Sequence, residues 1–151
     1  MASLAANLVK GLDSKCIVIL DAYFAVGPVF LILKEATKTT GQRLAHMITR
    51  AKSNVVAYED PPPKTGRPGA PRKYGVKLKL KDLFEQRLDS FQKATIKIYG
   101  NNRTILFLCC DLLWRPIKDK IRFVLVIDGS ATFILMCSDL ALSPTDIIYS
   151  L

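Results

Sequence analysis

The sequence predicts an α/β fold, a βαβ unit followed by a longer antiparallel, β-rich stretch, and three observations carry that expectation. Residues 16–20, Cys-Ile-Val-Ile-Leu, are a continuous and largely β-branched apolar run, the pattern of a strand buried on both faces. Gly27-Pro28 then opens an apolar helix that reaches Ala36, since proline suits the first helical turn, and residues 44–50 supply a second strand. A helix between two such strands makes a parallel pair. Beyond residue 73 the pattern changes to period-two alternation and hairpin turns, which marks antiparallel pairing.

Taken in order, residues 3–12 read as a short helix, with Leu4, Leu8 and Leu12 on one stripe and Gly11 near its end. The helix after Gly27-Pro28 is closed by Thr39-Thr40-Gly41. Residues 60–73, Asp-Pro-Pro-Pro-Lys-Thr-Gly-Arg-Pro-Gly-Ala-Pro-Arg-Lys, are too polar to pack and read as an exposed, disordered loop. Val76-Lys77-Leu78-Lys79-Leu80 alternates as a half-buried strand does. Residues 91–99, 104–112 and 121–128 are further strands, with Asn101-Asn102 as a tight turn and Asp128-Gly129 as a hairpin leading to residues 133–136. Ser143-Pro144-Thr145-Asp146 starts a helix: serine caps, proline takes the first position and Asp146 lies near the positive end. Three segments result: a partial core over residues 1–52, a β-rich insertion over 53–128, and a return to the core over 129–151.

A chain of 151 residues, half of it apolar, suffices for one core. Its net charge of +9 is mostly local, because seven basic residues and one acidic residue fall between Asp60 and Lys81. Such a block points to a polyanion. The four cysteines form no CxxC pair and the lone His46 completes no zinc spacing, so they read as small buried hydrophobes of a reduced, cytoplasmic protein. Asp21, Gly27 and Pro28 interrupt the apolar stretch 16–33, which argues against a membrane span.

Asp21 follows five apolar residues, so its charge belongs at the strand's carboxyl end, the edge where open α/β sheets bind ligands. The plain alternative is that it caps the next turn. Val18-Ile19-Leu20-Asp21-Ala22-Tyr23-Phe24-Ala25, followed by an apolar helix, resembles the second catalytic aspartate motif of bacterial insertion-sequence DDE transposases. Residues 44–50 resemble that family's next core strand, with its histidine, apolar residues and arginine. Phe133-Ile-Leu-Met-Cys-Ser-Asp139-Leu and the segment 142–149 resemble the lead-in to the catalytic-glutamate helix. The ordered set spans nearly the whole chain.

The resemblance implies an RNase H-like fold in which three carboxylates hold two divalent ions, usually magnesium, that activate the attacking oxygen and stabilise the leaving one at a phosphodiester. On this resemblance Asp21 is one of the catalytic, metal-binding carboxylates. Asp139 is a second metal candidate from a neighbouring strand, with a turn cap before the Ser143 helix as its plain alternative. The first aspartate and the final glutamate of such a domain are expected outside this chain, which is therefore expected to be an inactive fragment on its own. A non-enzymatic DNA-binding remnant and a different RNase H-like nuclease are the competing readings. Double-stranded DNA at transposon ends is the implied partner, with a homodimer open to the complete domain, in the cytoplasm of a bacterium or archaeon.

Residues 65–74 resemble an AT-hook, whose Gly-Arg-Pro core enters the narrow minor groove of A·T-rich DNA. Gly69-Ala70 separate Gly66-Arg67-Pro68 from Pro71-Arg72-Lys73, a departure from the compact hook. The alternative is a linker whose charges touch phosphates without reading sequence. The expected DNA contacts are Lys64, Arg67, Arg72, Lys73, Lys77, Lys79 and Lys81, the last three on one face of a strand.

Overall fold

The computed structural model of the protein describes residues 3, 7, 15–35, 43–64, 66, 69–98 and 100–150. Of the helix expected over residues 3–12 and its partner's closure at 39–41, nearly everything lies outside the described residues. The remainder is an α/β arrangement built on one mixed sheet. Strands β1 (Cys16–Leu20) and β2 (Ala45–Arg50) run parallel, in the register Cys16↔Ala45 to Leu20↔Thr49. Between them α1 spans Gly27–Glu35. This is the βαβ unit that the apolar run and Gly27-Pro28 predict.

Strands β3 (Val56–Tyr58), β4 (Lys77–Lys79), β5 (Gln92–Ile98), β6 (Asn101–Trp114), β7 (Asp119–Asp128) and β8 (Ala131–Cys137) follow, and every pairing among them is antiparallel. The order is β1-β2-β8-β7-β6-β3-β4, with β5 pairing the same edge of β6 farther along. The antiparallel stretch joins the parallel pair through β2 and β8, where Ile48 faces Cys137. One sheet therefore runs through all three segments of the sequence.

Alternation along the strands divides the apolar residues between two faces. On the first, Phe30 and Leu33 of α1 pack with Met47, Phe123, Leu125, Met136 and Trp114, and Cys16, Val18 and Leu20 lie against them. Phe30 meets Trp114 edge-on at 5.2 Å. A short helix α2 (Leu83–Gln86) buries Leu83 in the same core. On the second face, Ile147 and Ile148 of α3 (Pro144–Tyr149) cover Ile48, Val124, Val126, Leu135 and Cys137. The predicted cap is present, with Ser143 Oγ accepting from the Asp146 N–H at 3.1 Å. Arg122 holds the loop before α3 by grasping Asp111 with two bonds of 2.8 and 2.7 Å and donating to the Leu142 carbonyl at 2.7 Å.

Three expectations need correction. β1 is not buried on both faces: Ile17 and Ile19 are 38% and 53% exposed, because β1 is the terminal strand of the sheet path and α1 covers one face only. Asn101 and Asn102 already belong to β6, opposite Ile98 and Lys97, and the turn includes Gly100, which takes a positive φ of 82°. Lys81 does not share a strand face with Lys77 and Lys79, since β4 ends at Lys79 and Lys81 sits in a 3₁₀ turn, Leu80–Asp82. The Asp128-Gly129 hairpin forms as expected, with Asp128 opposite Ala131 and Gly129 at φ 59°.

Candidate functional site

The chain leaves β1 at Asp21 (φ −65°, ψ 159°) and enters a 3₁₀ turn, Ala22–Phe24. The Asp21 carbonyl is fixed from two sides, by the Thr49 hydroxyl at 2.9 Å and by the Phe24 N–H at 2.9 Å. Its side chain is exposed and makes no capping bond to the turn. The plain alternative for Asp21 therefore finds no support in the geometry. Leu20 pairs with Thr49, so Arg50 is the next residue along β2 beside Asp21, with its guanidinium 4.6 Å from the Phe133 ring centre.

Asp139 lies elsewhere. The Ser138 hydroxyl accepts from the Met47 N–H at 3.0 Å, and the Ser138 N–H donates to the Met47 carbonyl at 3.0 Å. Asp139 is thus level with His46, four residues or roughly 13 Å back along β2 from Arg50. Carboxylates that share an ion must stand within a few ångströms, so the structure does not bring Asp139 to Asp21, and a joint metal site for the two is excluded by the antiparallel course of β8. Asp139 is 4% exposed; Oδ1 accepts from the Ala141 N–H at 3.0 Å, the turn-stabilising alternative named for it. Lys15 Nζ stands 2.6 Å from Oδ2 as an ion pair, although Oδ2 receives no hydrogen bond of good direction.

Burial would push the Asp139 carboxyl up, but the Lys15 ammonium, the Ala141 N–H and the charge of His46 together hold it below its ordinary value. Burial lowers His46, with Asp139 opposing and Arg43 and Lys15 reinforcing that shift. Among the described residues its Nδ1 has no hydrogen-bond partner. Burial also pushes the Cys109 and Cys137 thiols up to about 11, so neither is a ready thiolate ligand. Among the described residues no group of three His, Cys, Asp or Glu side chains could hold a metal ion. The described residues therefore do not complete a two-ion site.

The basic segment springs from the far edge of the sheet. Tyr58 pairs with Lys77 and Val56 with Lys79, and the neck above them is closed by Glu59 N–H to the Val76 carbonyl (3.0 Å) and Gly75 N–H to the Glu59 carbonyl (2.9 Å). The Tyr58 and Tyr74 rings meet across it, tilted by 49° with centres 5.1 Å apart. Lys64, Arg72, Lys73, Lys77, Lys79 and Lys81 are all exposed, while Arg67 and Pro68 of the hook-like core lie outside the described residues. Asp60, the loop's single acid, is paired to Lys120 at 2.7 Å. That pairing neutralises the one opposing charge and brings β7 to the loop's base.

Sequence reasoning missed two cationic features. Lys93 and Lys97 are exposed on β5, whose outer edge Tyr149 reaches by accepting from the Lys97 N–H at 3.4 Å. A cavity of about 300 Å³ between the β2–β3 and β6–β7 turns is lined by Lys52, Asn54, Tyr58, Trp114 and Arg115. These residues come from segments some sixty positions apart, and no local pattern joins them. No described helix is long and apolar enough to cross a membrane. Compared with family models, characterised proteins and solved structures, the chain matches none.

Proposed function

We propose that this chain is part of the catalytic domain of a DDE transposase of RNase H-like fold, with Asp21 as one metal ligand and the β3–β4 region as a duplex-DNA contact. The observation that carries the reading is the position of Asp21. It stands exposed at the carboxyl end of a parallel strand, its backbone locked by Thr49 and its carboxylate not spent on capping. Magnesium bound there with further carboxylates would polarise a phosphodiester and lower the pKa of an attacking water or hydroxyl. This chain's own residues hold the Asp21 backbone still and place Arg50 beside it. The exposed lysines and arginines of residues 64–81 would pay for DNA association through release of phosphate counterions.

The absence of a three-ligand group among the described residues favours a second reading, a DNA-binding remnant without catalysis. Both readings require DNA binding, and a labelled duplex titrated at several salt concentrations tests it. Affinity is expected to fall linearly with salt on logarithmic axes, and Arg72→Ala or Lys79→Ala should each flatten the slope by about one. Affinity that does not change with salt would sink both readings. Manganese, a paramagnetic stand-in for magnesium, separates them: it should broaden the Ala22 amide resonance in the wild type and not in Asp21→Asn. With no broadening in either chain, only the remnant survives.

A further inference from the structure

Strand β1 ends the sheet path, and among the described residues it pairs only with β2. The Cys16 N–H donates to the Leu44 carbonyl at 2.7 Å, toward β2. Because backbone groups alternate along a strand, the N–H and C=O of Ile17 and Ile19 point to the opposite, open edge. The side chains of the same two residues are the exposed ones, 38% and 53%. An edge of this kind is a template for another strand, and the strand itself carries no protection: residues 16–20 contain no proline, charge or bulge.

We propose that β1 is a self-association edge, at which two copies of the chain pair antiparallel about a two-fold axis at Val18. The charges select this register. When Val18 faces Val18 of the second copy, Ile17 faces Ile19, Cys16 faces Leu20, and Lys15 faces Asp21, twice each by symmetry. Ile17 and Ile19 form the hydrogen-bonded pairs, which gives four new backbone bonds. Their side chains meet on the open face as apolar cross-strand pairs. Opposite charges close both ends. Lys15 is half-exposed and carries three donors, so its contact with Asp139 leaves it able to reach the second copy. The strand order places β4 at the other end of the sheet, six strand spacings or about 29 Å away. The paired sheet therefore presents a basic edge at each outer end.

The inference does not rest on the transposase reading, although the Lys15 pair and a metal ion would compete for the Asp21 carboxylate, and its failure would leave DNA binding at β4 untouched. Sedimentation of the full chain from low to high micromolar concentration should show a monomer–dimer equilibrium. Asp21→Lys should weaken it about tenfold, since both end pairs become like charges. Val18→Cys places two thiols at a non-hydrogen-bonded antiparallel pair, where Cα atoms stand about 4.5 Å apart, within disulfide range. Mild oxidation should cross-link that variant and leave the wild type uncross-linked, because Cys16 faces Leu20 in this register. A wild type that sediments as a monomer throughout, equal dimerisation of Asp21→Lys, or a Val18→Cys chain that oxidises no faster than the wild type would each overturn the proposal.

Discussion

His46 occupies the second position of β2 at 8% exposure, with an Nδ1 that has no partner among the described residues and with Asp139, Arg43, Ser138 and Lys15 acting on it. Burial disfavours its charged form, so the unfolded chain takes up the proton first as pH falls through the ordinary value of 6.5. Stability is then full above pH 6.5 and declines below it, until the folded imidazole also protonates. Asp139 adds a second, lower step of the same direction, because its carboxyl is held below the ordinary 3.8 and its contribution disappears as pH falls through that lowered value. Urea midpoints measured on either side of pH 6.5 should therefore differ in the wild type and converge in His46→Leu. Equal pH slopes in the two proteins would show that the imidazole is protonated equally well in both states. The single histidine was legible in the sequence as a residue that could not build a zinc site. Its burial was not legible, because it depends on Ser138 and Asp139 arriving from ninety residues away.

At the scale of elements, legibility followed how local the cause is. The Ser143-Pro144 start and the Asp128-Gly129 turn were readable because a cap and a two-residue turn are decided within four residues. The Asn101-Asn102 turn was misplaced by about two positions because Gly100 competes for the positive φ and takes it. An apolar run announces a strand and does not announce what covers it, so β1 was expected to be buried on both faces and instead leaves Ile17 and Ile19 exposed at the end of the strand order. The loop at 60–73 was legible as exposed, but the neck that carries it was not. Gly75 is the tightest point of that neck: a Cβ there would lie 2.2 Å from the Asp60 carbonyl oxygen and 2.9 Å from that of Glu59. Backbone oxygens cannot swing aside as a side chain can, so Gly75→Ala should part β3 from β4. A loss of about 1–3 kcal/mol is expected in urea unfolding. Faster hydrogen exchange at the Glu59 amide, which donates across the neck to Val76, would localise it. Exchange unchanged there would mean that the neck yields elsewhere.

For the whole molecule, composition and pattern predicted an α/β chain with a βαβ start and an antiparallel remainder, and that coarse architecture is present. What the pattern could not convey is that the sheet crosses every segment boundary. β2 ends at Arg50 and β8 begins at Ala131, yet they pair directly, and Phe30 of α1 packs on Trp114 of β6. Loop-closure cost grows only slowly with length, so an intervening stretch of eighty residues does not prevent this pairing. The first core contains residues from all three sequence segments, which couples their unfolding. Trp114, the only tryptophan, is 6% exposed and reports that core. Its fluorescence and the far-ultraviolet circular dichroism should follow one coincident urea transition. Phe30→Ala removes a fully buried ring that bridges helix and sheet, and should shift both signals together by about 3–5 kcal/mol. If the fluorescence midpoint moved while the dichroism midpoint stayed, the β-rich stretch would be an independent unit. The continuous sheet would then be a matter of contact without cooperativity.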